Sequence, residues 1–326
     1  MKGLELSYQY YLEIGRPMLR EKFPEYSGRI AAGLAGEGSE CLGFDDEISR
    51  DHDFGPGFCI WLTESDNERT GRQMQAAYEE LPGYFGGFPP RKFTPHGRGR
   101  TGVTEISEFY ARFIGREQPP GSLRRWLHLP EAGLAAAVSG RVFEDPLGEF
   151  TAIRTRLKEY YPEDVRIKKI AACAARMTQT GQYNYGRCMQ RRDVVAAGIA
   201  LSEFIRNAMA MIYLLNRVYA PYYKWMFRGL RELSVLQEAR PLLEELSAAA
   251  GQEDRWGRDA LTEHSPYIDL RDEKVVLIEK ICRMVVNEWN RQGLSSRTDA
   301  FLELHLEGIL SRVESPELRN LHVLEG

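Results

Sequence analysis

Residues 33–62 read GLAGEGSECLGFDDEISRDHDFGPGFCIWL, and the fold turns on how this stretch is read. Ile30 to Ala35 is a short apolar run that ends in the glycine-rich turn Gly36-Glu37-Gly38-Ser39, the pattern of a strand followed by a loop. Phe54 to Leu62 is rich in aromatic and apolar residues and reads as a second strand, with Asp51-His52-Asp53 at its opening. Residues i and i+2 of a strand share a face, so Asp51 and Asp53 are expected to project together and His52 away from them. Two carboxylates so placed repel each other unless a cation lies between them. A hard divalent ion such as Mg²⁺ suits oxygen ligands and bridges to phosphate oxygens. Gly38 allows the backbone close to a phosphate, successive N–H groups of such a turn form an anion-binding concavity, and the Ser39 hydroxyl adds a donor. A Gly-Ser turn alone is mostly a turn, and an Asp-x-Asp alone is mostly a solvated loop edge. Their strand–loop–strand order is what points to a metal-bound nucleoside triphosphate.

Outward from this stretch, residues 4–23 predict an opening amphipathic helix and residues 67–80 a second one. A loop rich in Gly, Pro and Arg runs from Gly83 to Gly102, then Val103-Thr104-Glu105-Ile106 predicts a third strand and 107–114 a helical turn. Composition shifts at Gln118-Pro119-Pro120-Gly121. Beyond it strand signals nearly vanish, and helical patterns cover 122–138, 147–160, 163–180, 189–217, 221–249, 271–292 and 298–313, with Gly181 expected to cap the third of these. The expected class is α+β: a mixed sheet with flanking helices over 1–120, then a mainly α-helical bundle over 121–326.

The chain has 326 residues, 43% hydrophobic and 28% charged, enough to bury a core without staples. Its net charge of −4 argues against a nucleic-acid-coating protein, which carries a basic excess. The sequence shows no apolar run of bilayer length and no signal-peptide core at its start. Five scattered cysteines without a CxxC pair read as free thiols of a reducing cytoplasm. Six histidines without HxxxH or HExxH spacing give no sign of a zinc hydrolase.

The pattern Gly38-Ser39, eleven residues, then Asp51-His52-Asp53 resembles the signature of the DNA polymerase beta-like nucleotidyltransferase superfamily, which includes the aminoglycoside nucleotidyltransferases. The chain, over roughly residues 1–235, also resembles a bacterial family named only as domain-of-unknown-function family 4037, in which a nucleotidyltransferase-like domain precedes a helical one. The stretches GRVFEDP (140–146), QYNYGRCMQRRD (182–193) and LNRVYAPYYKW (215–225) carry that likeness. The resemblance implies that Gly38 and Ser39 hold the triphosphate and that Asp51 and Asp53 bind Mg²⁺. It further implies a third carboxylate on a later strand, for which Glu105 is the candidate and Glu108 the fallback. The implied reaction moves a nucleoside monophosphate from an NTP, ATP by default, to a hydroxyl of an unidentified acceptor and releases pyrophosphate. The alternative is a nucleotide-binding or regulatory protein of the same fold without turnover.

Three further features invite readings. Lys224, in the aromatic and basic run Asn216–Trp225, is a candidate phosphate contact, against plain helix packing. Arg187, Arg191 and Arg192 form a basic patch, and Asp45-Asp46-Glu47 an acidic run; for both, a solvated surface is the plainer account.

Overall fold

The computed structural model describes residues 1–51, 53–92, 99–251, 256 and 269–326. It divides into two compact units, Met1–Gly121 with Leu129–Tyr160 and Ser122–His128 with Tyr161–Gly326. The architecture is α+β, a four-stranded mixed sheet with many helices, and the later part of the chain is helical.

The sheet has the order β3-β2-β1-β4, with β1 Ala31–Leu34, β2 Cys59–Leu62, β3 Gly102–Glu105 and β4 Arg141–Glu144. β1 is antiparallel to β2 and to β4, while β2 and β3 are parallel. The two central strands, AAGL and CIWL, are buried throughout, and such continuous apolar runs belong to strands covered on both faces. On one face Ile60 and Leu62 pack with Tyr10, Tyr11, Leu19, Phe58 and Met74. On the other, Trp61 stacks on Phe150 with ring centroids 3.8 Å apart and meets Phe109 edge-on at 5.4 Å. Gly33 lies where β1 shifts register against β4; a Cβ there would meet the Arg141 carbonyl at 2.5 Å and the Trp61 ring at 2.8 Å.

The opening helix forms as expected, as Gly3–Tyr10 and Arg16–Lys22 joined by a π-helical turn at Tyr11–Gly15. The fourth strand was not expected. It keeps Leu129–Tyr160 with the sheet, so the boundary expected at 120–121 does not divide the two units. The second strand is shorter than the predicted Phe54–Leu62. Gly55 and Gly57 hold φ of +144° and +152° on either side of Pro56, and extended pairing starts only at Cys59.

In the second unit, helix Glu163–Met177 is buried along most of its length and packs against Val194–Asn216. Val194–Asn216, of 23 residues, is long and apolar enough by length and composition to cross a bilayer, contrary to the sequence reading. Phe204, Ala208, Met211 and Ile212 on it are buried in the unit, as in a core helix. Gly181 does not cap a helix. The chain continues through a π-helical stretch at Thr178–Tyr185, and a Cβ at 181 would lie 2.3 Å from the Phe204 ring.

At the start of Glu163–Met177, Glu163 accepts from Arg166 Nε and Nη2 at 3.0 and 2.6 Å and lies 2.8 Å from Arg217 Nη1. Arg166, with Arg217 behind it, holds this carboxyl below the usual range. A group depressed in the fold stabilises it fully above its unfolded pKa, about 4.3 for Glu, and that contribution is lost as pH falls through the folded value. Glu163→Gln is therefore expected to cost about 1 kcal/mol at neutral pH, allowing for screening of a half-exposed pair. Thermal melts of the two proteins should converge when repeated well into the acid range.

Candidate active site

The antiparallel pairing of β1 with β2 brings the C-terminal end of β1 beside the N-terminal ends of β2 and β3. The loops leaving and entering these ends carry Gly36–Ser39, Asp51–Asp53 and Arg100. Gly36 and Gly38 hold φ of +111° and +113°, a region that L side chains rarely adopt, so the glycines are required by this loop's path. The Ser139 hydroxyl donates to the Gly36 carbonyl at 2.5 Å and fixes the loop from the β4 side. Ser39 opens the short helix Ser39–Leu42.

Asp51 and Asp53 do not open a strand. Asp51 is exposed and follows the 3-10 turn Ile48–Arg50. Asp53 is buried, with φ of +51°, and its N–H donates to the Lys92 carbonyl at 2.9 Å. The two residues therefore do not share the face of a strand, because the loop backbone and not a pleat sets their directions. His52, and residues 93–98 of the loop expected over Gly83–Gly102, lie outside the described residues.

The loop conformation is set by a residue that the sequence reading passed over. The Arg91 guanidinium is buried; Nη1 donates to Glu40 Oε1 at 2.5 Å and to the Asp53 carbonyl at 2.6 Å, while Nη2 donates to the Gly55 carbonyl at 2.8 Å and Glu40 Oε2 at 3.3 Å. Burial alone would weaken the guanidinium's hold on its proton, but the Glu40 carboxylate outweighs that effect and its pKa is raised. One bidentate pair thus joins the segment after Ser39 to the segment around Asp53. The only signals in the sequence were a charged residue directly after Gly-Ser and an arginine after a Pro-Pro pair.

Arg100 is the second cation at these strand ends. Its Nη1 lies 3.5 Å from Asp53 Oδ2 and its Nη2 3.9 Å from Glu37 Oε2, and a Cβ on Gly38 would sit 3.6 Å from Nη1. Arg100, Glu37, Trp61, Gly99 and Arg112 line a cleft next to the glycine loop. Cys59 lines it too, but burial pushes its thiol up to about 12, so it stays protonated and is no nucleophile.

Other expected residues are placed elsewhere. Glu105 pairs with Leu62 in the parallel register, at the opposite end of the ladder from Cys59 and Gly102. Three residues of strand, roughly 10 Å, separate it from the Arg100 end. Its carboxylate accepts the Ser107 hydroxyl at the start of helix Ile106–Ile114. Glu108 is exposed on that helix. Lys224 belongs to the second unit, exposed on helix Tyr223–Gly229, with Nζ 5.2 Å from the Trp225 ring centroid. The acidic run is partly structural: buried Asp45 accepts the Gly3 N–H at 2.9 Å, and Asp46 Oδ1 accepts from Ser49 N–H at 3.0 Å.

Residues 126–226 match the model of a family described as a domain of unknown function, DUF4037, which supports the likeness drawn from the three stretches at 140–146, 182–193 and 215–225. No curated protein and no solved structure matches the chain.

Arg91→Met leaves the Glu40 carboxylate buried without its cation and is expected to cost about 3–5 kcal/mol. The double variant Arg91→Met/Glu40→Gln should recover part of that loss, and urea unfolding of the three proteins measures both effects.

Proposed function

We propose that the first unit is the catalytic part of a Mg²⁺-dependent nucleotidyltransferase of the DNA polymerase beta-like type. The observation that carries this reading is the meeting, at one end of the sheet, of a loop with two positive-φ glycines and the Asp53 loop, locked together by Arg91.

The residues present fit a divalent ion that arrives with its nucleotide. Asp53 already faces a cationic group, Arg100, and Mg²⁺ commonly takes one or two carboxylates while substrate phosphates complete its shell. Among the described residues no three carboxylate, imidazole or thiol groups gather as a metal cage. Asp51 and Asp53 would hold the ion, and when bound it would neutralise charge on the phosphates.

Gly38 and Ser39 offer backbone N–H groups and a hydroxyl to the phosphates that leave. The acceptor oxygen forms a bond to the α-phosphorus, the bond from that phosphorus to the bridging oxygen breaks, and pyrophosphate departs with the electron pair. The proton of the acceptor hydroxyl must pass to a base. Glu105 lies on β3 as expected, but its register places it at the end of the ladder away from Cys59 and Gly102, so it is not assigned as that base. Positioning and preorganised charge would supply most of the rate enhancement. The same register favours a second reading, a nucleotide-binding protein without turnover.

Calorimetric titration with MgATP and the other NTPs tests the site. The native chain is expected to bind at least one of them in a Mg²⁺-dependent manner, and an Asp51→Asn/Asp53→Asn variant that still folds is expected to lose at least tenfold in affinity. Equal binding by both proteins, or none by the native chain, contradicts the proposal. Pyrophosphate release in an acceptor screen separates turnover from binding alone.

A further inference from the structure

We infer that Arg100 is the phosphate-binding cation of this site, and that it stands on Asp53 until a metal-bound triphosphate takes its place. The inference rests on the nucleotide-site reading above and adds to it a residue and an exchange of partners.

The two arginines at these strand ends are built differently. Arg91 is buried, and both its terminal nitrogens are within hydrogen-bond distance of fixed acceptors. Arg100 has a side chain 25% exposed and reaches its two carboxylates only at 3.5 and 3.9 Å, beyond good hydrogen-bond length. Its Nε, like that of Arg91, is buried with no hydrogen-bond partner among the described residues, so the two differ in their terminal nitrogens. A planar fork held by charge and not by directed hydrogen bonds is free to turn to a better acceptor, and phosphate oxygens match its geometry.

Its position suits that exchange. Nη1 lies beside the glycine loop, in van der Waals reach, 3.6 Å, of where a Gly38 side chain would begin. The guanidinium lines the cleft together with Arg112, whose Nη1 is already committed to the Gly99 carbonyl at 2.7 Å. Trp61, on the same cleft, has an indole N–H buried without a partner among the described residues.

Charge arithmetic gives the exchange its direction. Among the described residues, the Arg100 guanidinium lies between two carboxylates, Asp53 and Glu37. A triphosphate alone would meet both negative charges. A divalent ion arriving with it neutralises Asp53, and the displaced guanidinium pairs with phosphate. Metal and Arg100 therefore compete for Asp53 when no nucleotide is present and cooperate when it is.

Two titrations of the full chain test this, with circular dichroism and melting as the check on folding. MgATP is followed by calorimetry, and Mn²⁺ alone by the loss of its free-ion paramagnetic signal. Arg100→Gln is expected to weaken MgATP ten- to a hundredfold while binding Mn²⁺ several-fold more tightly than the native chain. Arg100→Lys, which keeps the charge but not the fork, should fall between them for MgATP, and it carries the test if Arg100→Gln does not fold. Opposite movement of the two affinities is the result that a merely structural role would not produce. Native binding of MgATP that Arg100→Gln leaves unchanged overturns this inference and spares the nucleotide site. A parallel loss of Mn²⁺ and MgATP also overturns it, by making Arg100 a brace. A native chain that binds no NTP overturns both readings together.

Discussion

Arg91 reaches Glu40, Asp53 and Gly55 with one buried guanidinium, and the geometry of the candidate site depends on that contact. Asp53 has φ of +51° and Gly55 of +144°, a backbone path with no strand ladder to hold it. A charged donor satisfies the carbonyls of both residues, and a carboxylate next to Ser39 satisfies the donor. Burial makes the pair costly to break from either side, so the two loops are fixed relative to each other. The proposed phosphate and cation site, a glycine loop beside an aspartate, depends on that spacing.

The sheet supplies the other half of the constraint. Because β1 and β2 are antiparallel and β2 and β3 parallel, the exit from β1 and the entries to β2 and β3 share one end. Everything that enters the proposed chemistry lies in connections at this end, on a scaffold whose central strands are buried on both faces. Trp61 and Phe150 close the sheet on the side that also lines the cleft, so the packed core and the cleft share a wall.

Much of this was legible in the residues. The Gly36–Ser39 turn after an apolar run, the helix before it and the α+β class follow from periodicity and turn chemistry, and the structure has all three. What failed did so for local reasons. FGPGF looked like a strand by its aromatics, but Gly55, Pro56 and Gly57 deny it extended pairing, and the i, i+2 argument for Asp51 and Asp53 went with it. Glu105 does lie on a strand in the expected order, yet order says nothing of which end of a parallel ladder a residue occupies. β4, RVFE, is four residues long and edge-exposed, too short for alternation to stand out. Arg91 acts through contacts to residues 36 or more positions away and Arg100 through contacts 47 or more away, and no window along the chain shows such pairings.

The most direct measurement is a crystal structure of the chain with Mn²⁺ and a non-hydrolysable ATP analogue, with the metal located by its anomalous signal. A metal peak is expected on the Asp51 and Asp53 carboxylates, with phosphates against Gly38 and Ser39 and the Arg100 guanidinium turned from Asp53 to a phosphate oxygen. Nucleotide bound elsewhere on the chain, with Arg100 still paired to Asp53, would contradict that expectation.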